Sequence, residues 1–162
     1  MALLQWNCNS YDRHLTELRQ LIAQYAASIV CLQETNLRPD HETVLRGFRL
    51  YSKERQDAAR ASGGVCTFVR SDCYSEEFPL ATPLEAIAVR VSLPAMTTVC
   101  NVYLPPNQPL DINDVLDLVD QLPVPFLLVG DFNSHHPQKK GRGGLNSRDG
   151  FMSIKYRGSY TF

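Results

Sequence analysis

No apolar run in this 162-residue chain approaches the roughly 18 residues that a membrane-spanning helix needs. The opening residues, MALLQWNCNS, carry neither the charged start nor the long apolar middle of a secretory signal. The five cysteines, Cys8, Cys31, Cys66, Cys73 and Cys100, show no CxxC spacing. Four of them sit in apolar, strand-like runs, as small core side chains do in a reducing compartment, which argues against a disulfide framework or a zinc site. The net charge of −1 supplies no overall basic field to attract a polyanion. There is no internal repeat. The expectation is a cytoplasmic or nuclear protein with no membrane partner, and no obligate protein partner is inferred.

What is present is a hydrophobic fraction of 44% and a charged fraction of 20%, the balance of a soluble globular domain long enough to bury a core. One dense basic cluster stands out, Lys139, Lys140, Arg142 and Arg148. Such a cluster is ordinarily solvated, and it would meet phosphate if nucleic acid were the partner.

Hydrophobic periodicity orders the chain. Residues 2–8 (ALLQWNC) read as a buried strand, and 11–26 as an amphipathic helix with Leu15, Leu18, Leu21, Ile22 and Tyr25 on one stripe. Ser10 or Asp12 is placed to cap it. Residues 28–33 (SIVCLQ) form a second strand, which makes a βαβ unit. After a polar connection over 34–47 come FRLYSK, a charged loop, Gly63-Gly64 and VCTFVR. The strands 84–93 and 97–104, joined through Pro94-Ala95-Met96, suggest an antiparallel hairpin. A second helix spans 111–122, with Asp111 near its start and Pro123 stopping it. Pro125 then opens the strand that leads into Gly130, Asp131, Phe132 and Asn133. From Pro137 the chain turns glycine-rich without a sustained period, read as loop with at most one short strand near Phe151 to Tyr156.

Phe126 to His136, FLLVGDFNSHH, is the most informative stretch. An apolar strand opens onto a carboxylate and a carboxamide two residues apart, at the edge where sites assemble in open α/β sheets. Gly, Asp and Asn are also ordinary turn residues, so other segments must decide. Asn7 follows the first strand, Glu34 the second, and Tyr103 comes late in the hairpin. If the strands lie side by side, these groups converge on one rim with Asp131 and Asn133. Glu34 suits a hard divalent cation, since Mg²⁺ takes one or two carboxylates plus waters and phosphate oxygens. Asn and Tyr orient phosphate without adding negative charge, and Asp131 is placed to handle a water's proton. The set describes metal-assisted phosphodiester cleavage. Singly, Tyr103 reads as an amphipathic strand residue with its hydroxyl at the surface, and Glu34 as a loop carboxylate.

QWNCNS, VCLQET, GGVCTFVR, CNVYLPP and LLVGDFNSHHP, in this order and spacing, resemble the endonuclease/exonuclease/phosphatase superfamily. The likeness is closest to the apurinic-type endonuclease domain of non-LTR retrotransposons. It implies an α/β fold, a four-layer α/β sandwich with mixed sheets, of which this chain carries a part. It implies that Asn7 orients the phosphate and holds Asp131, and that Asn9 falls where relatives carry a second metal-site or hydrogen-bonding residue. Glu34 would be the principal Mg²⁺ ligand, with Mn²⁺ as a substitute. Tyr103 would contact the scissile phosphate, Asp131 act as general acid or base, and Asn133 bind phosphate or the attacking water. DNA would be the partner, met also by His135 and Arg142. Adjacent histidines on an extended segment point to opposite sides, so His135 and His136 do not easily share a metal. His14 and His41 read as structural or solvated.

The pattern departs from the resemblance after His136-Pro137. Residues 1–137 are expected to be the N-terminal part of the domain, and 138–162 a divergent, poorly ordered tail of a truncated or frame-changed fragment. The family's later apolar strand and its Ser-Asp-His motif find no counterpart there. On this reading the second sheet is incomplete and the first sheet's inner face is left partly in water, at about 25 cal/mol per Å² of apolar area. Three functions stay open: a weakly active or inactive Mg²⁺-dependent DNA endonuclease, a catalytically dead remnant with weak DNA binding, or a phosphatase of the same superfamily.

Overall fold

A computed structural model of the chain describes residues 2–37, 44–53, 63–133 and 155–157. The first strand, β1 (Ala2–Asn7), runs into helix α1 (Tyr11–Tyr25) and returns as β2 (Ala27–Gln33), parallel to β1. This is the βαβ unit that the apolar periods predict. Strands β3 (Phe48–Lys53) and β4 (Val65–Arg70) complete a four-stranded sheet in the order β1-β2-β4-β3. The second sheet has the order β5-β6-β7-β8-β9. Its strands are β5 (Ser75–Phe78), β6 (Glu85–Leu93), β7 (Ala95–Tyr103), β8 (Phe126–Asp131) and β9 (Lys155–Arg157). Helix α2 (Ile112–Asp120) links β7 to β8, which lie parallel. Both sheets are therefore mixed.

The strands' two-residue period sorts side chains into four layers. On the outer face of the first sheet, Val30, Leu32, Cys66 and Phe68 pack against Tyr11 and Leu18 of α1. On the outer face of the second, Ala88, Cys100, Val102 and Leu128 pack against Leu118 of α2 and the following Leu122. Between the sheets lie Ile29, Cys31, Val69, Val89, Val91, Val99 and Val129, all buried. The expected open inner face is thus corrected. The strands read as one sheet plus a connection divide into two sheets that cover each other.

Smaller corrections have local causes. The hairpin turns at Pro94 alone, with Leu93 facing Ala95, because β7 begins two residues earlier than its apolar run. The short strand β5 carries only four residues, too few to show a period. Tyr25, read as part of the apolar stripe, is exposed at the last turn of α1. Ser10 stands at the N-cap but makes no side-chain cap bond. The helix start is tied instead by backbone, with Ser10 N donating to Glu34 O at 2.8 Å and Tyr11 N to Thr35 O at 2.9 Å. Asp111 does cap α2, accepting from Asn113 N at 2.9 Å. All five cysteines are buried free thiols. Among the described residues no helix is long and apolar enough to cross a membrane.

Candidate active site

Parallel pairing puts the C-terminal ends of β1 and β2 together in one sheet and those of β7 and β8 together in the other. Asn7 stands opposite Gln33, the residue before Glu34, and Tyr103 stands opposite Asp131. Because the sheets face each other, these ends meet on one rim, each sheet supplying half of a polar cluster.

The amide of Asn7 spans the halves. Its Nδ2 donates to Glu34 Oε1 at 2.9 Å and to Asp131 Oδ2 at 2.7 Å. The Tyr103 hydroxyl donates to the same Glu34 Oε1 at 2.7 Å. Asp131 Oδ1 accepts from Asn133 N at 2.9 Å, and Asn133 Nδ2 donates to Leu104 O at 2.7 Å. Asn9 is exposed, and its backbone N donates to Asn7 Oδ1 at 3.2 Å. One uncharged amide thus holds two carboxylates in one place, supplying donors to both without adding charge.

Backbone conformations at these strand ends are uncommon. Asn9, Ser10, Glu34, Asn36 and Asn133 all have positive φ, at 42°, 102°, 50°, 52° and 42°. Left-handed conformations cost energy for residues other than glycine and gather where a site over-determines them. Here the surrounding bonds impose them: Cys8 N donates to Gln33 O at 3.0 Å, and Thr35 N to Gly64 O at 3.3 Å. Gly130, the glycine of GDFN, has φ 149°, and a Cβ on it would lie 1.8 Å from Val102 O. No side chain fits there, so close approach of β8 to β7 dictates that glycine.

Tyr103 is 6% exposed. Burial, then the hydrogen bond to Glu34, and then the charges of Glu34, Glu85 and Asp131 push its phenol well above the usual tyrosine value of 10.0. It stays a neutral donor at physiological pH. Glu34 is held through Oε1, and among the described residues its Oε2 accepts no protein hydrogen bond. Among the described residues no group of three or more His, Cys, Asp or Glu is disposed to hold a metal ion. Two carboxylates with hydrogen-bonding amides nonetheless fit a hard cation that keeps waters in its shell.

Of the residues singled out in the sequence, Asn7, Glu34, Tyr103, Asp131 and Asn133 are brought together, with Asn9 at their edge. His135, His136, Lys139, Lys140, Arg142, Arg148 and His41 lie outside the described residues. His14 faces away from the cluster. Its ring meets Trp6 edge-on at 5.6 Å, and its Nδ1 lies 3.3 Å from Glu17 Oε2. Sequence reasoning missed the buried amides beneath the site. Gln33 and Asn101 are 0% exposed, and Gln33 Nε2 donates to Asn101 Oδ1 at 2.6 Å. Their signal was legible as lone carboxamides inside apolar strands, a placement that demands a partner. It also missed Glu85, whose Oε2 accepts from Gly64 N at 2.6 Å.

Comparison with known proteins follows the same outline. The probable RNA-directed DNA polymerase from transposon X-element of Drosophila melanogaster is 22% identical over 142 residues, which is 84% of this chain and 15% of that protein. The 3'-5' exonuclease NExo from Neisseria meningitidis superimposes with a TM-score of 0.63 at 23% identity, over 82% of this chain and 58% of that one. The endonuclease domain of TRAS1, a telomere-specific non-LTR retrotransposon, superimposes with a TM-score of 0.60 at 21% identity, over 80% of this chain and 57% of that one. The chain therefore spans well under two thirds of these proteins' own lengths. Residues 4–151 match the Endonuclease/Exonuclease/phosphatase family. With that match over most of its length, and with the two-sheet sandwich to go with it, the chain belongs to the endonuclease/exonuclease/phosphatase family.

Proposed function

We propose that this domain cleaves DNA phosphodiesters as a divalent-metal-dependent endonuclease of the non-LTR retrotransposon type, working in the nucleus or cytoplasm. Mg²⁺ is the ordinary ion and Mn²⁺ a substitute, in keeping with a family that is generally dependent on divalent metals. The observation that carries the reading is the Asn7 amide bonded to both Glu34 and Asp131, with Tyr103 on Glu34. Residues with no use for one another in a core are held together at an accessible rim.

Glu34 would hold the ion through Oε2, which accepts no hydrogen bond among the described residues, assisted from the Asn9 side of the rim. When bound, the ion supplies Lewis-acid stabilisation of charge on the phosphate oxygens. Asp131 Oδ2 would take the proton of an attacking water or return one to the leaving oxygen, while Asn7 fixes the direction in which that carboxylate points. Asn133 commits its Nδ2 to Leu104 O, which leaves Oδ1 to accept from the water. Tyr103, neutral and buried up to its hydroxyl, would share its proton between Glu34 and a phosphate oxygen. The basic residues Lys139, Lys140, Arg142 and Arg148, with His135, would meet the DNA backbone.

Relaxation of supercoiled plasmid tests this reading. Nicking that requires both Mg²⁺ and Glu34 supports it, and nicking that survives EDTA or Glu34→Ala sinks it. A second reading has a distinct outcome. A catalytically inactive domain with weak, salt-sensitive DNA binding would give retention on DNA without product. Release of inorganic phosphate from a phosphomonoester, with no nicking, would instead indicate a phosphatase.

A further inference from the structure

The inner faces of the strands change character along their length. On β1 the inward residues run Leu3, Gln5, Asn7, and on β2 Ile29, Cys31, Gln33. On β7 they run Val99, Asn101, Tyr103, and on β8 Leu127, Val129, Asp131. An apolar tier is followed by an amide tier, and that by the rim. Gln5 Nε2 donates to Gln33 Oε1 at 2.6 Å, and Gln33 Nε2 passes the chain to Asn101 Oδ1 at 2.6 Å. Asn101 Nδ2 then donates to Leu32 O at 3.1 Å and Cys66 O at 2.9 Å, backbone carbonyls of the opposite sheet. A side chain of one sheet is thereby bonded to two strands of the other, deep in the interior. Among the described residues no buried side-chain nitrogen or oxygen is left without a partner.

We infer that the Gln33–Asn101 amide pair is a positioning unit that sets the offset between the two sheets, and through it the Glu34–Tyr103 and Asn7–Asp131 contacts. The inference rests on the proposed function for its consequence in catalysis, but its geometric content stands apart. Apolar contacts are non-directional, so the valine tier tolerates small sliding of one sheet over the other. Hydrogen bonds in a low-dielectric interior are directional and costly to leave unmade, so the amide tier does not. Gln33 adjoins Glu34 in the chain. Asn101 precedes Tyr103 by two residues on the same face, a rise of about 7 Å. An offset fixed at the amides is carried along both strands to the rim.

The test compares Asn101→Leu with Val99→Ala, an apolar truncation on the same face of the same strand. Two readouts are taken on the full chain. One is plasmid nicking in Mg²⁺. The other is the Tyr103 hydroxyl proton in the NMR spectrum, assigned by its loss in Tyr103→Phe. Asn101→Leu should lower kcat at least tenfold with KM for DNA held within about twofold, and should abolish the hydroxyl resonance. Val99→Ala should lower Tm while keeping both kcat and the resonance. Gln33→Met, a closer match in shape, serves where Asn101→Leu does not fold, and should give the same split. Persistence of the resonance in the folded amide variant, its absence from the wild type, or a loss of kcat that simply follows Tm in both variants overturns the inference. Resonance changes as stated, with no nicking by any form including wild type, would sink the endonuclease reading and leave the positioning role standing.

Discussion

At one end of the inter-sheet space, Ile29, Val69, Val89, Val91, Val99 and Val129 meet by contact alone. At the other end Asn7, Glu34, Tyr103 and Asp131 meet through hydrogen bonds of 2.7 to 2.9 Å, with five positive-φ residues, Glu34 among them, at these strand ends. The same strands run through both ends. The apolar end gains free energy from surface removed from water and asks only for volume. The polar end spends some of it on strain and on two carboxylates held close together. The difference teaches that the sandwich serves as a clamp, with stability generated at one end and used to hold an arrangement at the other that would not assemble by itself.

The comparison can be broken most severely at Gly130, where the two principles touch. Gly130→Ala drives a Cβ to 1.8 Å from the Val102 carbonyl oxygen. It should cost more than about 4 kcal/mol and leave little soluble folded protein. By contrast Gly47→Ala, at φ 84° with nothing within 4 Å of the added carbon, should cost only about 1 kcal/mol in a denaturant titration. Ile29→Ala attacks the apolar end and should cost about 2–5 kcal/mol. The molecules that stay folded should keep their metal-dependent nicking, so that stability and activity separate.

Alkali should weaken the whole sandwich through its buried thiols, Cys31 between the sheets and Cys8 and Cys100 on their outer faces. Burial pushes Cys31 and Cys100 up to about 12 from 9.0, and Cys8 likewise. Above pH 9 the unfolded chain releases protons that the fold retains, so stability is fully present below about pH 9 and falls as pH rises towards 12. The urea midpoint at pH 10.5 should lie below that at pH 8. The smallest effect belongs to Asp111→Ala, at the N-cap of α2 on the outer layer. Loss of the cap bond to Asn113 N should cost about 1 kcal/mol and leave nicking unchanged.

Much of this was legible in the chain. The helix over Leu15, Leu18 and Ile22, the strands at 28–33, 65–70 and 126–131, and the convergence of Asn7, Glu34, Tyr103 and Asp131 follow from periodicity and from motifs at strand ends. The division into two sheets was not legible, because strand pairing over long separations leaves no local mark. Val99 opposite Leu127 and Ile29 opposite Val69 look alike as apolar residues in either arrangement. The amide tier escaped for a related reason. Gln33 and Asn101 lie 68 residues apart, and each alone demands a partner without saying which residue supplies it. Tyr103 taken singly reads as a surface hydroxyl, and its bond to Glu34 shows why the strand's period alone does not suffice, since it says which face a residue takes and not what that face meets.

The central claim is that Glu34, held by Asn7 and Tyr103, is the centre of a metal-dependent phosphodiesterase site. It is tested most directly by supercoiled-plasmid relaxation with wild type, Glu34→Ala and Glu34→Gln, in Mg²⁺ and in EDTA. The account predicts relaxed circles only with wild type in Mg²⁺, and at least an approximately 100-fold lower rate for either variant, with circular dichroism unchanged. Equal nicking by Glu34→Ala, or no nicking by folded wild type, would contradict it.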